Sequence, residues 1–445
     1  MTGKATLIMV IGFSFIFIVV GYLWGNVATR SAENHVSYYK NTIARNIAVS
    51  GANLALNQII RDSNWVSDIS DRPFENGEMT VTITPLGPPI RILESVGTFM
   101  GAEQKVRVKL QRGTRIFAEY AWFIPSVSTG SLNRPWITGD TVFGAFHTNQ
   151  FLLVDGNPVF TGHVTSLKGV KDVAKPGPSN PQFLGGYEGG VQVSWNSEMS
   201  FPEYAADADE GVAMGGTCKF QNTNVWLTFN DNGTVTYRTY DKTGDDSSKF
   251  SAPVTRSLSE MAPTGVIYAK GGNLFISGTL DGSVTIISEG SSGGGNGNVT
   301  LVGDLVYKVD PMISNGNGGY MPNPACDDLM GVIATNNIII ATSQLSGGKA
   351  NNVDNPDIHI DAGLFAVKGG MQVQDLGTAP ANKPLGSIYL QGSMTAGKEE
   401  IVAQFNGTTI TAGYNRHIIF DSRFSVAPPS WYTYTYYYSV ISWLE

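Results

Sequence analysis

The apolar N-terminus constrains the fold more than any other feature of the chain. Residues 5–25 (ATLIMVIGFSFIFIVVGYLWG) carry no charged side chain. At about 1.5 Å per residue, a helix of this length matches the ~30 Å hydrocarbon core of a bilayer. Lys4 precedes the run, so the positive-inside tendency puts the N-terminus in the cytoplasm when the helix is inserted. The run is long for a secretory signal and no clear A-x-A site follows it, which favours a retained membrane helix.

The helix is predicted to continue well beyond the apolar run. Residues 26–61 contain no Pro, and their only Gly is Gly51. Apolar residues recur along this stretch with the period of an amphipathic helix. They are Val36, Tyr39, Ile43, Ile47 and Leu54. The sequence therefore predicts one nearly continuous helix from residue 5 to about residue 60.

A helix of this length favours polymerisation over simple anchoring, because a membrane anchor needs no such extension. We assign residues 1–62 to a transmembrane and amphipathic helix. Its candidate polymerisation residues are Leu7, Ile8, Val10, Ile11, Phe13, Phe15, Ile16, Ile18, Val19, Val36, Ile43 and Ile47.

The segment after the helix predicts an antiparallel meander. Three runs alternate between apolar and polar residues, and Pro- and Gly-containing turns separate them. The runs are MTVTIT, PIRILESV and QKVRVKL within residues 77–112. We therefore expect residues 63–125 to form a small sheet that packs on the apolar stripe of the helix.

Short β repeats dominate the rest of the chain. NLFISGTL (273–280), NVTLVGDL (298–305) and SIYLQGSM (387–394) share one template, with apolar residues at positions two, four and eight and Gly at position six. DIHIDAGL (357–364) fits with one inserted residue. Stacked copies of such a unit bury a face that one copy cannot bury alone. The predicted fold class is therefore mainly β with a long N-terminal helix, an antiparallel meander and a β-helix or other solenoid.

The solenoid is expected over residues 126–400, with an insertion at about 167–253 and an aromatic-rich returning segment at 401–445. Because the spacing between copies is irregular, a β-sandwich remains the alternative. The template glycines are expected at equivalent corners, some with positive φ; they are Gly278, Gly303, Gly363 and Gly392. The residues expected to point inward are Leu274, Ile276, Val299, Leu301, Ile358, Ile360, Ile388 and Leu390. Those expected to point outward are Phe275, Thr300, His359 and Tyr389.

Composition excludes some classes of partner. Charged residues make up only 15% of the chain and the net charge is −8, whereas nucleic-acid binding needs clustered Lys and Arg. The two cysteines, Cys218 and Cys326, form no C-x-x-C pair, which disfavours a zinc or redox site. In an extracytoplasmic setting they could form a disulfide, and two buried free thiols are the alternative.

Three polar groupings were weighed as sites. Asp357, His359 and Asp361 alternate on one predicted strand and could hold a divalent metal, but a solvated outer face explains them better. The histidines His147 and His163 are better explained as structural residues than as catalytic bases. The sequence NDNG, residues 230–233, predicts a hairpin turn rather than a calcium loop. We therefore predict no catalytic residue, metal or cofactor.

An aromatic run near the C-terminus is the most unusual surface signal. It comprises Trp431, Tyr432, Tyr434, Tyr436, Tyr437, Tyr438 and Trp443. Such residues suit glycan stacking or a subunit interface. A terminal strand with one face packed on the protein would account for half of them.

The N-terminal sequence resembles that of type IV pilin-like proteins of the minor-pilin type. The resemblance rests on GKATLIMVIG followed by ARNIAVSGANLALNQI. It implies cleavage by a prepilin peptidase after Gly3, and the acidic residue of the family at the fifth mature position is replaced here by Ile8. The segments GAFHTN, GVIATNNIII and DSRFSVAPPSW resemble a bacterial head-domain family of unassigned function that is commonly attached to pilin-like helices.

These features favour a structural subunit of a pilin-like surface filament. The resemblance implies as partners further copies of the chain, other pilin-like subunits and inner-membrane assembly machinery, with surface glycans as possible ligands of the head. It implies an inner-membrane location before assembly and an extracellular filament or cell-surface location afterwards. The alternative is a single-helix membrane-anchored adhesin or glycan-binding protein. A membrane-anchored carbohydrate lyase or hydrolase is the least favoured hypothesis, so we predict that the chain is not an enzyme.

Overall fold

The computed structural model describes residues 2–61, 65–85, 90–116, 119–126, 135–173, 178–193, 195, 201–240, 249–291, 296–342, 357–378, 381–406, 409–426 and 434–444. A long N-terminal helix precedes a largely β region that contains antiparallel and parallel sheets. The chain divides into two compact units. Unit 1 comprises Met1–Thr114 and Tyr436–Glu445, and unit 2 comprises Arg115–Thr435.

The helices are α1 (Thr2–Arg61), α2 (Pro202–Ala213) and α3 (Leu258–Met261). The strands are β1 (Ile69–Phe74), β2 (Gly77–Pro85), β3 (Ile90–Phe99), β4 (Ala102–Ile116), β5 (Trp122–Ile124), β6 (Trp136–Ile137), β7 (Thr141–Phe143), β8 (Phe146–Thr148), β9 (Phe151–Asp155), β10 (Val159–Phe160), β11 (Val164–Ser166), β12 (Gly169–Asp172), β13 (Gln182–Phe183), β14 (Tyr187–Gly189), β15 (Lys219–Gln221), β16 (Asn224–Asn230), β17 (Thr234–Tyr240), β18 (Val254–Ser257), β19 (Val266–Lys270), β20 (Leu274–Leu280), β21 (Ser283–Glu289), β22 (Val299–Tyr307), β23 (Met312–Ser314), β24 (Tyr320–Pro322), β25 (Leu329–Ala334), β26 (Ile338–Ile340), β27 (Ile358–Ala366), β28 (Met371–Val373), β29 (Pro384–Ala396), β30 (Ala403–Asn406), β31 (Thr409–Phe420) and β32 (Tyr434–Leu444).

The predicted continuous helix and the predicted meander are both confirmed in unit 1. Helix α1 runs without a break over 60 residues, as the absence of Pro allows. Strands β1 to β4 pair antiparallel in sequence order, and β32 lies beside β4 at the end of the sheet. The second half of α1 packs on this sheet through small and apolar residues. Those that are fully buried are Ala44, Ile47, Ala48, Ala52, Ala55 and Ile59.

Close packing of α1 on β3 depends on Gly97. A Cβ atom at Gly97 would collide with the carbonyl oxygen of Ala44 and would lie 2.5 Å from the backbone nitrogen of Ala48. Because both contacts are backbone atoms of the helix, the helix as a whole would have to move. Gly97 therefore sets the distance between helix and sheet.

Gly97→Ala is expected to lower the free energy of unfolding of unit 1 by about 1–3 kcal/mol, because it overpacks this contact. Gly25→Ala is the matched control, since a Cβ there would have no atom within 4 Å. Denaturant unfolding of the purified chain in detergent measures both variants. Equal stability of the two would contradict the assigned contact.

Unit 2 is built from parallel ladders. In one, β16, β20, β22, β26 and β28 follow one another in parallel register. In a second, β15, β19, β21, β25, β27 and β29 do the same. A sandwich is built from antiparallel sheets, so this pairing favours the solenoid interpretation, which stays a prediction.

Each of the residues expected to point inward is fully buried, from Leu274 to Leu390. They lie opposite one another in neighbouring strands, as Ile276, Leu301 and Ile340 illustrate. An asparagine immediately precedes each of β20, β22 and β26, and Asn224 is the first residue of β16. Asn273, Asn298 and Asn337 each donate a backbone N–H to the side-chain oxygen of the preceding asparagine, at 2.9 to 3.1 Å. The first position of the repeat template thus has a physical role, since it satisfies backbone donors where the strands begin.

The expectation for the template glycines is wrong. All four lie inside strands, and only Gly278 has a positive φ, of 108°. Gly363 lies opposite Ser393, and Gly392 lies opposite Ala362, so the glycines do not align between strands. The cause in the first pair of repeats is a register shift after Ile276.

The exposure of the residues expected to point outward is also only partly as predicted. His359 is exposed, but Phe275 and Thr300 are 3% and 7% exposed. Phe275 stacks on Trp226 at 5.6 Å between ring centroids and meets Phe250 edge-on. A second apolar cluster therefore covers part of the face that the alternation assigns to solvent.

The proposed insertion contains ladder strands. In the stretch 167–253, β13 and β14 pair parallel with β10 and β11, and β15 and β16 pair parallel with β19 and β20. These segments therefore lie within the parallel ladders and not outside them. Helix α2 and the hairpin partner β17 are the elements that the repeat template does not anticipate.

Candidate functional site

The first half of α1 exposes an unbroken apolar surface. All ten candidate polymerisation residues from Leu7 to Val36 are exposed, and Ile8 retains 70% of its accessible surface. The helix contains a window with a mean hydropathy of 2.5, none of which is buried within the chain. By length and composition it can cross a membrane. Burying such a surface in lipid or against other helices is strongly favourable.

The last two candidate residues have a different role from the rest. Ile47 is fully buried, and Ile43 is half-buried and packs on the same cluster, which includes Met79 and Phe99. Both residues contact the chain's own sheet. A charge at Ile43 would therefore weaken unit 1 whether or not the chain polymerises.

An open groove of about 610 Å3 lies beside the middle of α1, where the exposed apolar half of the helix meets the half that packs on the sheet. One wall is the middle of α1, including the exposed Glu33 and Val36 and the half-buried Lys40, and the other is the turn that joins β3 to β4, at Met100 and Gly101. The helix and strand patterns of the sequence do not mark Met100 as a functional residue. Its signal was available, since an apolar residue occupies a tight turn.

The possible disulfide is not formed. Cys218 and Cys326 are both free thiols and both buried. The thiol of Cys218 lies 3.4 Å from the carbonyl oxygen of Ala208, and that of Cys326 lies 3.9 Å from the carbonyl oxygen of Asp328. Burial raises the pKa of both thiols, which keeps them protonated and unreactive.

The aromatic run is divided between described and undescribed parts. Trp431 and Tyr432 lie outside the described residues, and Tyr434 and Tyr436 are described only as backbone in β32. Tyr438 is half-buried, packs on the core of unit 1, and carries the guanidinium of Arg91 at 4.3 Å from its ring centroid. Trp443 also packs on this core. The described aromatic side chains of the run thus contribute to the sheet itself.

The three polar groupings do not form sites among the described residues. Asp357 accepts the backbone N–H of Ser387, at 2.9 Å, and His359 is exposed. Asp361 is buried, and its carboxylate accepts the backbone N–H of Tyr307 at 2.9 Å. Within the described ranges, no three His, Cys, Asp or Glu side chains are grouped so as to hold a metal.

The histidines and the NDNG turn have structural roles. His147 is buried, and its two ring nitrogens lie 2.7 Å from Thr165 Oγ1 and 2.8 Å from Asn149 Oδ1. His163 is exposed and lies 3.7 Å from Glu188. The predicted hairpin is confirmed, since β16 and β17 pair antiparallel on either side of residues 231–233.

Buried Asp361 is expected to make the stability of unit 2 depend on pH. Burial, together with Asp310 and Asp421, raises the pKa of its carboxyl group to about 7, against the opposing effect of the Tyr307 N–H. Because the folded pKa exceeds the usual value of 3.8, the stabilising contribution is complete below about pH 4 and is lost as the pH rises through 7. The loss is expected to be on the order of 4 kcal/mol at most.

Asp361→Asn should remove most of this pH dependence, because the amide oxygen can still accept the Tyr307 N–H. Free energies of unfolding at pH 5 and pH 8, for the parent chain and the variant, measure the effect. A parent chain with equal stability at both pH values would show that Asp361 is ionised without cost.

Comparisons with known proteins leave the family open. No family model and no curated protein matches the chain. Among solved structures, the chain is similar to the competence-associated pilin ComZ from Thermus thermophilus, with 12% identity over 91% of this chain and 97% of that one. The TM-score is 0.29, a similarity too low to carry a functional argument.

Proposed function

We propose that this chain is a structural subunit of a pilin-like cell-surface filament and that it polymerises through its N-terminal helix. The observation that supports this most is the division of α1, whose second half is fixed to its own sheet while its first half exposes apolar side chains. The resemblance of the N-terminal sequence to type IV pilin-like proteins points to the same use. Copies of this chain, other pilin-like subunits and an inner-membrane assembly machinery are the proposed partners.

The proposed location follows from the same helix. Before assembly the apolar run lies in the inner membrane with the N-terminus in the cytoplasm. After assembly the apolar runs of many copies bury one another, and unit 2, which we interpret as a β-solenoid, is displayed at the surface. The proposed role is structural and not enzymatic, and the chain is proposed to need no cofactor.

The alternative is a membrane-anchored surface adhesin or glycan-binding protein. Exposed apolar residues on the terminal strand β32 are the observation that favours it; they are Val440, Ile441 and Leu444. Such a patch suits a binding surface. In this alternative the helix only crosses the bilayer, and no filament forms.

Val27→Glu separates the two functions. Val27 is 67% exposed and lies near the end of the uncharged stretch, three residues before Arg30, so its replacement spares the fold and most of the membrane segment. Between packed helices an unpaired carboxylate costs several kcal/mol, and we expect filament yield to fall at least about tenfold.

The measurement is the amount of chain in the pellet of sheared surface material, with electron microscopy of that pellet. Val27→Leu is the matched control, and carbonate extraction of membranes confirms that both variants are inserted. Absence of filaments from the parent chain, with normal surface display, would favour the anchored adhesin.

A further inference from the structure

The groove beside the β3–β4 turn has an unusual wall. Phe99 pairs with Ala102, so Met100 and Gly101 form a two-residue turn, and their φ angles are 47° and 82°. A turn with positive φ at both residues favours Asn-Gly, and Met is disfavoured there. Met100 is nevertheless 70% exposed. A strained, apolar and exposed side chain indicates a contact made with something outside the folded chain.

The opposite wall carries a single acidic residue. Glu33 is the only Asp or Glu among residues 1–61 of the sequence. It is exposed, and in the part of the chain that the structure describes no hydrogen bond or ion pair is made by its carboxylate. Lys4 is also exposed, at the far end of the same helix.

Charge decides how two such helices can lie side by side. In register, Glu33 would face Glu33 and Lys4 would face Lys4, and both contacts repel. An offset of 29 residues, or about 43 Å at the rise of an α-helix, pairs Lys4 of one copy with Glu33 of the next. With the helices parallel, the same offset puts Leu7 beside Val36.

The parallel orientation is favoured by the apolar contacts. Leu7 is 62% exposed and Val36 is 53% exposed, and Met100 lines the same groove as Val36. An antiparallel helix with Lys4 at Glu33 would instead place Leu7 beside Arg30 and leave Val36 uncovered. Membrane insertion with one orientation also makes all copies parallel.

We propose that this groove is the docking site for the N-terminal end of α1 of a second copy, in parallel and offset by 29 residues. Lys4 of the second copy pairs with Glu33, and its Leu7 packs between Val36 and Met100. This assignment rests on the proposed filament function and defines the contact between subunits. It explains why a disfavoured residue stands in the turn and why the helix has one acidic residue.

Cysteine cross-linking tests the offset. In the full-length chain, Leu7→Cys combined with Val36→Cys should give disulfide-linked ladders from sheared filaments on a non-reducing gel. Each single variant should give at least tenfold less, since Cys218 and Cys326 are buried. In-register packing would instead cross-link the single variants. If filaments form but the double variant cross-links no better than the single variants, the proposed offset is wrong. If the parent chain forms no filaments, the proposed filament function is wrong as well.

Two further variants test the charge pair and the turn. Glu33→Lys should lower filament yield at least tenfold, and Lys4→Glu in the same chain should restore it. Met100→Asn should leave the thermal stability of unit 1 unchanged or higher, yet lower filament yield several-fold. Normal assembly of Met100→Asn, or no rescue of Glu33→Lys by Lys4→Glu in a chain that carbonate extraction shows to be inserted, would show that this groove is not the docking site.

Discussion

Asp140→Ala is expected to lower the free energy of unfolding of unit 2 by about 3–5 kcal/mol, because it removes the nearer of the two carboxylates that pair with a buried guanidinium and leaves only Glu399, at 3.5 Å. Asp140 and Arg416 are 1% and 6% exposed, and Asp140 Oδ2 lies 2.6 Å from Arg416 Nη2. The same carboxylate accepts the backbone N–H groups of Arg416 and Ile137, at 2.8 and 3.0 Å. Arg416 also lies over the ring of Trp136, at 3.7 Å from the centroid. Removing Asp140 therefore breaks an ion pair and two backbone hydrogen bonds at once.

Denaturant unfolding followed by tryptophan fluorescence measures this loss; Trp136, which lies under Arg416, is one of the eight tryptophans that contribute to the signal. Lys308→Ala is the matched control, because it breaks an exposed ion pair with Asp281 in the same unit and should have little effect. Comparable stability of the two variants would contradict the structural importance of the buried pair. Arg416→Met combined with Asp140→Leu and Glu399→Gln should be less damaging than Asp140→Ala, since it removes the buried guanidinium together with both carboxylates that pair with it.

Leu301→Ala is expected to cost about 2–5 kcal/mol, the range for removing a fully buried leucine side chain. Leu301 lies opposite Ile276 in one neighbouring strand and Ile340 in the other, and all three are fully buried. Strands fixed on both sides by hydrogen-bonded ladders cannot move in to fill the space. The cavity should therefore remain largely open, and its cost should lie toward the upper end of the range.

His359→Ala is the control for Leu301→Ala, since His359 is an exposed residue of the template and should tolerate truncation. Phe275→Ala gives a sharper comparison. Alternation along the strand assigns Phe275 to the outer face, yet it is buried against Trp226 and Phe250, so its truncation should cost as much as a core substitution. If Phe275→Ala left the stability unchanged, the exposed position predicted from the alternation would be right and the observed burial of Phe275 would be wrong.

Local patterns in the sequence determine the elements and their inner faces. The uncharged run and the absence of Pro predict α1, because helix formation depends on neighbouring residues. Alternating apolar residues predict the inward positions of β20, β22, β27 and β29, because successive side chains of a strand point to opposite faces. The same rule predicts the meander, whereas the Asn-Gly turn at residues 232–233 predicts the hairpin after Asn230.

Contacts between distant residues were decided only by the tertiary structure. Asp140 meets Arg416 because β7 pairs with β31, a partnership between residues 276 positions apart that no local pattern marks. The burial of Phe275 depends on side chains from a hairpin that the repeat template does not include. The two cysteines likewise remain separate thiols, since compatibility with a disulfide in the sequence says nothing about the distance between them.

The candidate site shows the same division. The composition of residues 5–25 is enough to show that they must be buried by lipid or by other helices, because so large an uncharged surface is costly in water. It could not determine that Ile43 and Ile47 face the chain's own sheet while Val36 does not, since all three share one helical stripe. The sheet covers α1 only as far as the β3–β4 turn reaches along the helix. How far that turn reaches depends on the packing of unit 1 and cannot be read from the helix sequence.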